Sequence, residues 1–282
     1  MALAGVLLQK KRYAEAAESA GNAVAILGPE EAAKNERLEL LLGRAQLKAG
    51  MVDKGEATLV ALLGVTSDPG ITNDAAYELA DAKLQLPLDD EKQRGVMDHM
   101  TAETQSWTLD ESPSMLSQKS SLLVAAWDTM GWILFREGKL AEAKSYIQAA
   151  WLSRPNAELQ SHLDQVNAAL GIKTQPKPKP KLPPELPPSI VVDAETPGGQ
   201  EARTVALGPS DGRSGVAEYR MLLAAGKAER VEASGEKTIR GAEEMIKAAD
   251  FSKYFPANSN AKLVKHGMVN CYSGKCSLVL EP

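Results

Sequence analysis

The stretch Trp127–Pro155, WDTMGWILFREGKLAEAKSYIQAAWLSRP, decides the fold of the first half of the chain. Within it, Trp127, Gly131, Leu134, Gly138, Leu140, Ala143, Ile147, Ala150 and Pro155 recur at helical steps. The spacing predicts two antiparallel helices joined by a tight turn at Glu137-Gly138. Gly131 leaves room on the first helix for a close neighbour. Ala143 and Ala150 do the same on the second, with the bulky Ile147 between them. Pro155 closes the unit, because proline cannot continue a helix.

This order of residues resembles the tetratricopeptide repeat (TPR), a helix-turn-helix unit of about 34 residues. Two further stretches follow the pattern less fully. One runs through Leu42, Gly43, Gly50, Val52, Gly55, Leu59 and Leu62. The other runs through Leu3, Ala4, Leu7, Tyr13, Ala16, Ala20 and Ala23, and Gly28-Pro29 ends it. A fourth pair, about Asn73-Leu86 and Asp90-Trp107, is apolar at helical spacing and is expected to be a degenerate repeat. The helix expected over Asn156-Leu170 has no helix after it and reads as a terminal cap. The fold class expected is an α-helical TPR-like solenoid over residues 1–171, followed by a small α+β domain.

Between them lies a linker, residues 172–200. Residues 176–188, PKPKPKLPPELPP, are expected to form polyproline II, a semi-rigid spacer. In residues 201–282 the period changes to that of strands. Ala217, Tyr219, Met221 and Leu223 alternate with Glu218, Arg220 and Leu222. A turn at Ala225-Gly226-Lys227 leads to a second strand at Val231 and Ala233. Ile239, Ala242, Ile246 and Ala249 share a helix face. Lys262-Cys271 and Cys276-Leu280 then form a hairpin, with the last strand taken as an edge. The expected order is strand-strand-helix-strand-strand. With its Pro-Lys spacer, Gly-Lys turn, Ser234-Gly235 and Phe255-Pro256, this tail resembles the C-terminal domain of TonB-type energy transducers, without their N-terminal membrane anchor. The overall order also resembles the C-terminal part of bacterial envelope proteins that place a transglutaminase-like domain ahead of the repeats.

Composition limits the partners. The chain carries 32 Lys+Arg against 37 Asp+Glu, a formal net charge of -5. The acid excess falls in the helical part and the tail is near neutral. Neither supplies the basic footprint of a nucleic-acid binder. No run of about 18 apolar residues predicts a membrane span. The N-terminus lacks the form of a signal peptide and enters mid-pattern, which leaves open that the sequence is a fragment of something longer.

Few residues suggest chemistry. Cys271 and Cys276 face each other if their strands pair as drawn, within disulfide reach; they can be bonded or free. A disulfide would place the protein outside the cytoplasm, and a periplasmic location is expected. His99, His162 and His266 are scattered. His266 is an odd number of strand positions from Cys271, which points the two to opposite faces. The acid pairs Glu30-Glu31, Asp89-Asp90 and Glu243-Glu244 are assigned to helix starts or solvated faces. No nucleotide-binding, hydrolase or metalloprotease motif is present, and no metal, cofactor or catalytic residue is expected.

The TPR resemblance implies a groove lined by the first helix of each unit. Its candidate residues are Arg37, Arg44, Leu47 and Lys48 from one unit and Asp128, Trp132, Phe135 and Arg136 from another. A basic patch beside an aromatic one suits an extended peptide with a carboxylate and an apolar anchor. The lysine-asparagine pattern of chaperone-binding TPRs is absent, since Asp128 and Trp132 hold its positions. The function expected is a non-catalytic protein-protein interaction scaffold of the bacterial envelope. The alternatives are a TonB-like strand-exchange module and the regulatory tail of a larger transglutaminase-like enzyme.

Overall fold

The computed structural model describes residues 2–172 and 203–281. The linker assigned to 172–200 therefore lies, apart from Ile172, outside the described residues. Ten helices come first: α1 (Ala2–Gln9), α2 (Tyr13–Leu27), α3 (Pro29–Ala33), α4 (Glu36–Lys48), α5 (Val52–Val65), α6 (Pro69–Asp81), α7 (Leu86–Thr104), α8 (Pro113–Arg136), α9 (Leu140–Ser153) and α10 (Ala157–Ala169). A five-stranded sheet follows, with one α-helix and one short 3-10 helix (Ser252–Tyr254) inserted among the described residues. By contacts the chain forms two compact units. One comprises the described residues up to His99 with Trp132–Lys139. The other comprises Met100–Gly131 with the described residues from Leu140 onward.

Four helix-to-helix turns share one geometry. At Lys11, Gly50, Lys83 and Gly138 the backbone is left-handed, with φ of 58°, 79°, 59° and 82°. At each, that residue's N–H donates to the carbonyl three residues back, and the next N–H reaches five back: Gly50 N to Leu47 O and Met51 N to Gln46 O, or Gly138 N to Phe135 O and Lys139 N to Leu134 O. This is the Schellman pair, which satisfies carbonyls that the helix end leaves without partners. Glycine adopts that conformation freely; Lys11 and Lys83 hold it at a steric cost of roughly 1–2 kcal/mol.

Helix pairs approach where the side chain is smallest. A Cβ added at Gly43 would fall 2.6 Å from Leu59 Cγ, and one at Gly55 would fall 2.7 Å from Leu47 Cγ. At Gly131 it would fall 2.5 Å from Ile147 Cγ1 and 3.1 Å from the Ile147 backbone nitrogen. Ala143 and Ala150 are fully buried. Gly43, Leu47, Gly50, Gly55 and Leu59 match Gly131, Phe135, Gly138, Ala143 and Ile147 at one constant offset, so the α4–α5 pair and the α8–α9 pair follow one packing rule.

Several expected boundaries move. α6 starts earlier than expected, because Asp68 caps it by accepting from Gly70 N and Ile71 N, and Pro69 opens its first turn. α8 begins at Pro113 and not near Trp127. The last helix starts where expected, with Asn156 Oδ1 accepting from Leu159 N at 2.9 Å.

The sheet comprises β1 (Thr204–Pro209), β2 (Gly215–Ala224), β3 (Lys227–Ala233), β4 (Lys262–Tyr272) and β5 (Lys275–Leu280), all antiparallel in the order β1-β5-β4-β2-β3. The expected topology lacked β1. That strand buries only Val205 and ends in Gly208-Pro209, so it carries almost no alternating pattern. Its presence also corrects the place of β5, which is interior; the edges are β1 and β3. Both edges are blunted. β1 has a bulge between Ala206 and Gly208, and β3 carries Lys227, Glu229, Arg230 and Glu232. The inserted helix, α11 (Ala242–Ala248), is shorter than expected because Gly241 enters it with φ 74°. Tyr219, Met221, Leu223, Leu263, Val269, Leu278 and Ile246 are buried in the sheet core. Cys271 and Cys276 are register partners across the β4–β5 hairpin and are joined by a disulfide.

Within the second unit the sheet region packs on helices. Lys262 N donates to Thr104 Oγ1 at 3.0 Å, and Ala257 N donates to Ser145 Oγ at 2.6 Å. Phe255 meets Trp127 edge-on, with ring centroids 6.4 Å apart.

A pair of glycine substitutions tests the packing rule by denaturant unfolding. Gly131→Ala forces Ile147 aside and is expected to destabilise by about 1–3 kcal/mol. Gly95→Ala, on α7 with no neighbour within 4 Å, is expected to stabilise by about 0.5–1 kcal/mol.

Candidate functional site

Arg44 and Lys48 lie one turn apart on α4, and Asp74, Glu78 and Asp81 lie at steps of four and three on α6. These periods put each set on one helix face. The two faces meet. Arg44 Nε stands 2.7 Å from Glu78 Oε1, and its NH2 stands 3.5 Å from Asp74 Oδ2. Lys48 Nζ stands 3.4 Å from Glu78 Oε2 and 3.0 Å from Asp81 Oδ2. Arg136 of α8 joins the cluster, with its NH2 3.0 Å from Asp81 Oδ1 and 3.1 Å from the Asp81 carbonyl oxygen.

The aromatic residues sit beside this cluster. The Arg136 guanidinium lies 4.5 Å above the Trp132 ring centre and 5.9 Å from that of Phe135. The two rings are 5.1 Å apart. Trp132 is buried and Phe135 half-buried. The structure thus brings together Arg44, Lys48, Trp132, Phe135 and Arg136. It also matches three cations with three carboxylates, so the patch is charge-balanced and not openly basic.

Burial by itself raises the Asp81 carboxyl. Hydrogen bonds and charge from Lys48 and Arg136 outweigh that and hold it below its ordinary value. Burial likewise lowers the Lys48 ammonium, but the charges of Glu78 and Asp81 leave it raised.

Two candidate residues lie elsewhere. Arg37 is exposed and lines a shallow depression with Lys34, Asp68 and Ile71. Asp128 belongs to the second unit, where both its oxygens lie 2.9–3.0 Å from His162 Nδ1 on α10. Burial raises the Asp128 carboxyl above its ordinary value, and the contact with His162 offsets part of this.

The acid pair Asp89-Asp90 lies at a helix start, one of the two placements expected of it, with Asp89 in the first turn of α7. Asp89 is nevertheless fully buried, and among the described residues neither of its carboxylate oxygens has a hydrogen-bond partner. Burial pushes its pKa up to about 8. Gln93, one turn on, is also buried and donates from Nε2 to Asn73 Oδ1 at 3.0 Å. Sequence reasoning also missed the carboxylates of α6, although their steps of four and three were visible.

No protein-family model, curated protein or solved structure matches this chain. Among the described residues, no group of three or more His, Cys, Asp or Glu is placed to hold a metal ion, and no helix is long and apolar enough to cross a membrane.

The two displaced carboxyls give opposite pH signatures. Asp81, held low in the fold, adds stability above the ordinary aspartate range and loses it in acid. Asp81→Asn is therefore expected to destabilise by about 1 kcal/mol at neutral pH, a value kept small by partial exposure, with the difference shrinking in acid. Asp89 is held high. The folded state keeps a proton that the unfolded state releases, so stability falls as pH rises from about 4 to 8. Asp89→Asn is expected to flatten that fall and to unfold at higher denaturant than wild type at pH 8. Parallel stability–pH curves for the two proteins would contradict it.

Proposed function

We propose that this protein is a non-catalytic interaction scaffold: a TPR-like array joined to a TonB-C-like sheet domain, working in the bacterial envelope. The observation that carries the reading is the repeated approach of a glycine to a bulky side chain, Gly43 to Leu59 and Gly131 to Ile147, with the same left-handed turn between the helices. A pair packed this way buries its glycine-bearing seam and leaves other helix faces for stacking and for a partner. The partner is a peptide or protein domain laid along the first helices of the pairs.

The charge-balanced cluster shapes what that partner can be. Removing one carboxylate partner from Lys48 or Arg136 would cost free energy, so a bare anionic peptide gains little there. A ligand with alternating charges can exchange pairs with Arg44, Glu78 and Asp81 at smaller cost. Arg37, exposed on the same helix as Arg44, extends the surface. The cross-strand disulfide Cys271–Cys276 supports an oxidising compartment.

Strand exchange has less in its favour. The interior place of β5, the bulged β1 and the charged β3 all oppose addition of a foreign strand.

Site-specific photo-crosslinking in cells of the source bacterium tests the scaffold reading. A photoreactive residue at Arg37 or Lys48 is expected to give a discrete protein adduct. The same residue at Asp53, exposed near the start of α5, is expected to give none. Identical adducts from all three positions, or none from any, would count against the groove.

A further inference from the structure

The second unit contains a pocket of about 110 Å³ that the scaffold reading does not use. Leu116 and Val124 of α8 and Leu263 of β4 give it an apolar side. Lys265 of β4 and Arg154, just past the end of α9, give it a cationic one; Ser120, His266 and the exposed Glu281 are also on the lining.

Lys265 is the unusual member. It points to the core face of the sheet, in register with Met221, and is buried to 8% exposure. Its ammonium donates to the Ser153 carbonyl oxygen at 2.9 Å, at the last residue of α9. That contact caps a helix carbonyl and uses one of three hydrogens. No carboxylate lies within ion-pair distance of Lys265 among the described residues. Burial, then the positive charges of Arg203 and Arg154, push its pKa down to about 8. A buried ammonium with two cations nearby and no carboxylate at ion-pair distance among the described residues is electrostatically under-compensated.

We propose that this pocket binds a small organic carboxylate, with its acid group on Lys265 and Arg154 and its hydrocarbon against Leu116, Val124 and Leu263. The volume approaches that of an engineered cavity of roughly 150 Å³ that takes benzene, so one acid group and a few carbons fill it. Leu116, Val124 and Leu263 favour a ligand with one charged end and one apolar end over a dianion such as sulfate or phosphate, whose second charge gains nothing from them. A monocarboxylate supplies one negative charge and up to four acceptor positions, matching the free hydrogens of the lysine.

Calorimetric titration of the full chain with benzoate, benzamide and sulfate tests this. Benzoate is expected to bind saturably in the millimolar range, and benzamide and sulfate at least about tenfold more weakly. Lys265→Met, which keeps an unbranched chain of similar length, is expected to lose benzoate affinity about tenfold or more, the scale of a lost charged hydrogen bond. In wild-type protein, NMR of the Lys265 side-chain methylene next to nitrogen is expected to shift with benzoate occupancy, which keeps the test independent of how well the variant folds. Equal binding of benzamide would reduce the site to an apolar cavity and overturn the proposal. So would equal binding of sulfate, an unmoved Lys265 signal, or no benzoate binding.

Discussion

The helical part of this protein depends on how closely two helices can approach. Where Gly131 faces Ile147, and Gly43 faces Leu59, there is no space for even one methyl group. That contact fixes where along each helix its partner crosses, and the left-handed turn at Gly138 or Gly50 returns the chain at that distance. Side chains farther along the pair are then placed as a consequence. Arg44 and Lys48 reach α6 at ion-pair distance, and Trp132 is buried beneath Arg136. The constraint is steric and short-ranged, so it tolerates little variation, whereas the polar faces it positions are free to carry any charge pattern.

Charge placement in this chain is a matter of matching and of mismatch. The α4–α6 cluster is matched: three cations meet three carboxylates, and the displacements of Asp81 and Lys48 follow from that pairing. Two buried groups are mismatched. Among the described residues, the Asp89 carboxylate oxygens lack a hydrogen-bond partner, and no carboxylate lies at ion-pair distance from Lys265. A buried unmatched group lowers stability, and such sites persist where a second state or a bound molecule compensates them. The Asp89 carboxyl compensates by holding its proton. Lys265 cannot discard its charge as readily at neutral pH, and the pocket beside it offers room for a counter-charge.

The left-handed turns show how far residue type carries information. Gly50 and Gly138 mark their turns in the sequence because glycine is the residue that takes positive φ without cost. Lys11 and Lys83 occupy the same conformation and give no such mark, since the surrounding helices impose it on them. β1 was hidden for a related reason. Only Val205 of its residues is buried, so its pairing with β5 comes from the sheet and not from an alternating pattern of its own. The pattern of paired acids points to a helix start or a solvated face, and Asp89 does lie in the first turn of α7; its burial there is decided by the packing of α7, which the pair itself does not show.

The sequence by itself determined the helical pairs of the first half, the change of period in the second, the β4–β5 hairpin that sets Cys271 against Cys276, and the last helix of the array from Asn156. Each is a local matter of size, spacing or backbone preference within a few turns or across one tight loop. Only the tertiary structure decided which carboxylates neutralise Arg44, Lys48 and Arg136, that Asp128 belongs with His162, that β5 is interior, and that the sheet region packs on Trp127, Ser145 and Thr104. Those pairings join residues far apart in the chain, and long-range partners are selected by complementary surfaces that no short window of residues contains.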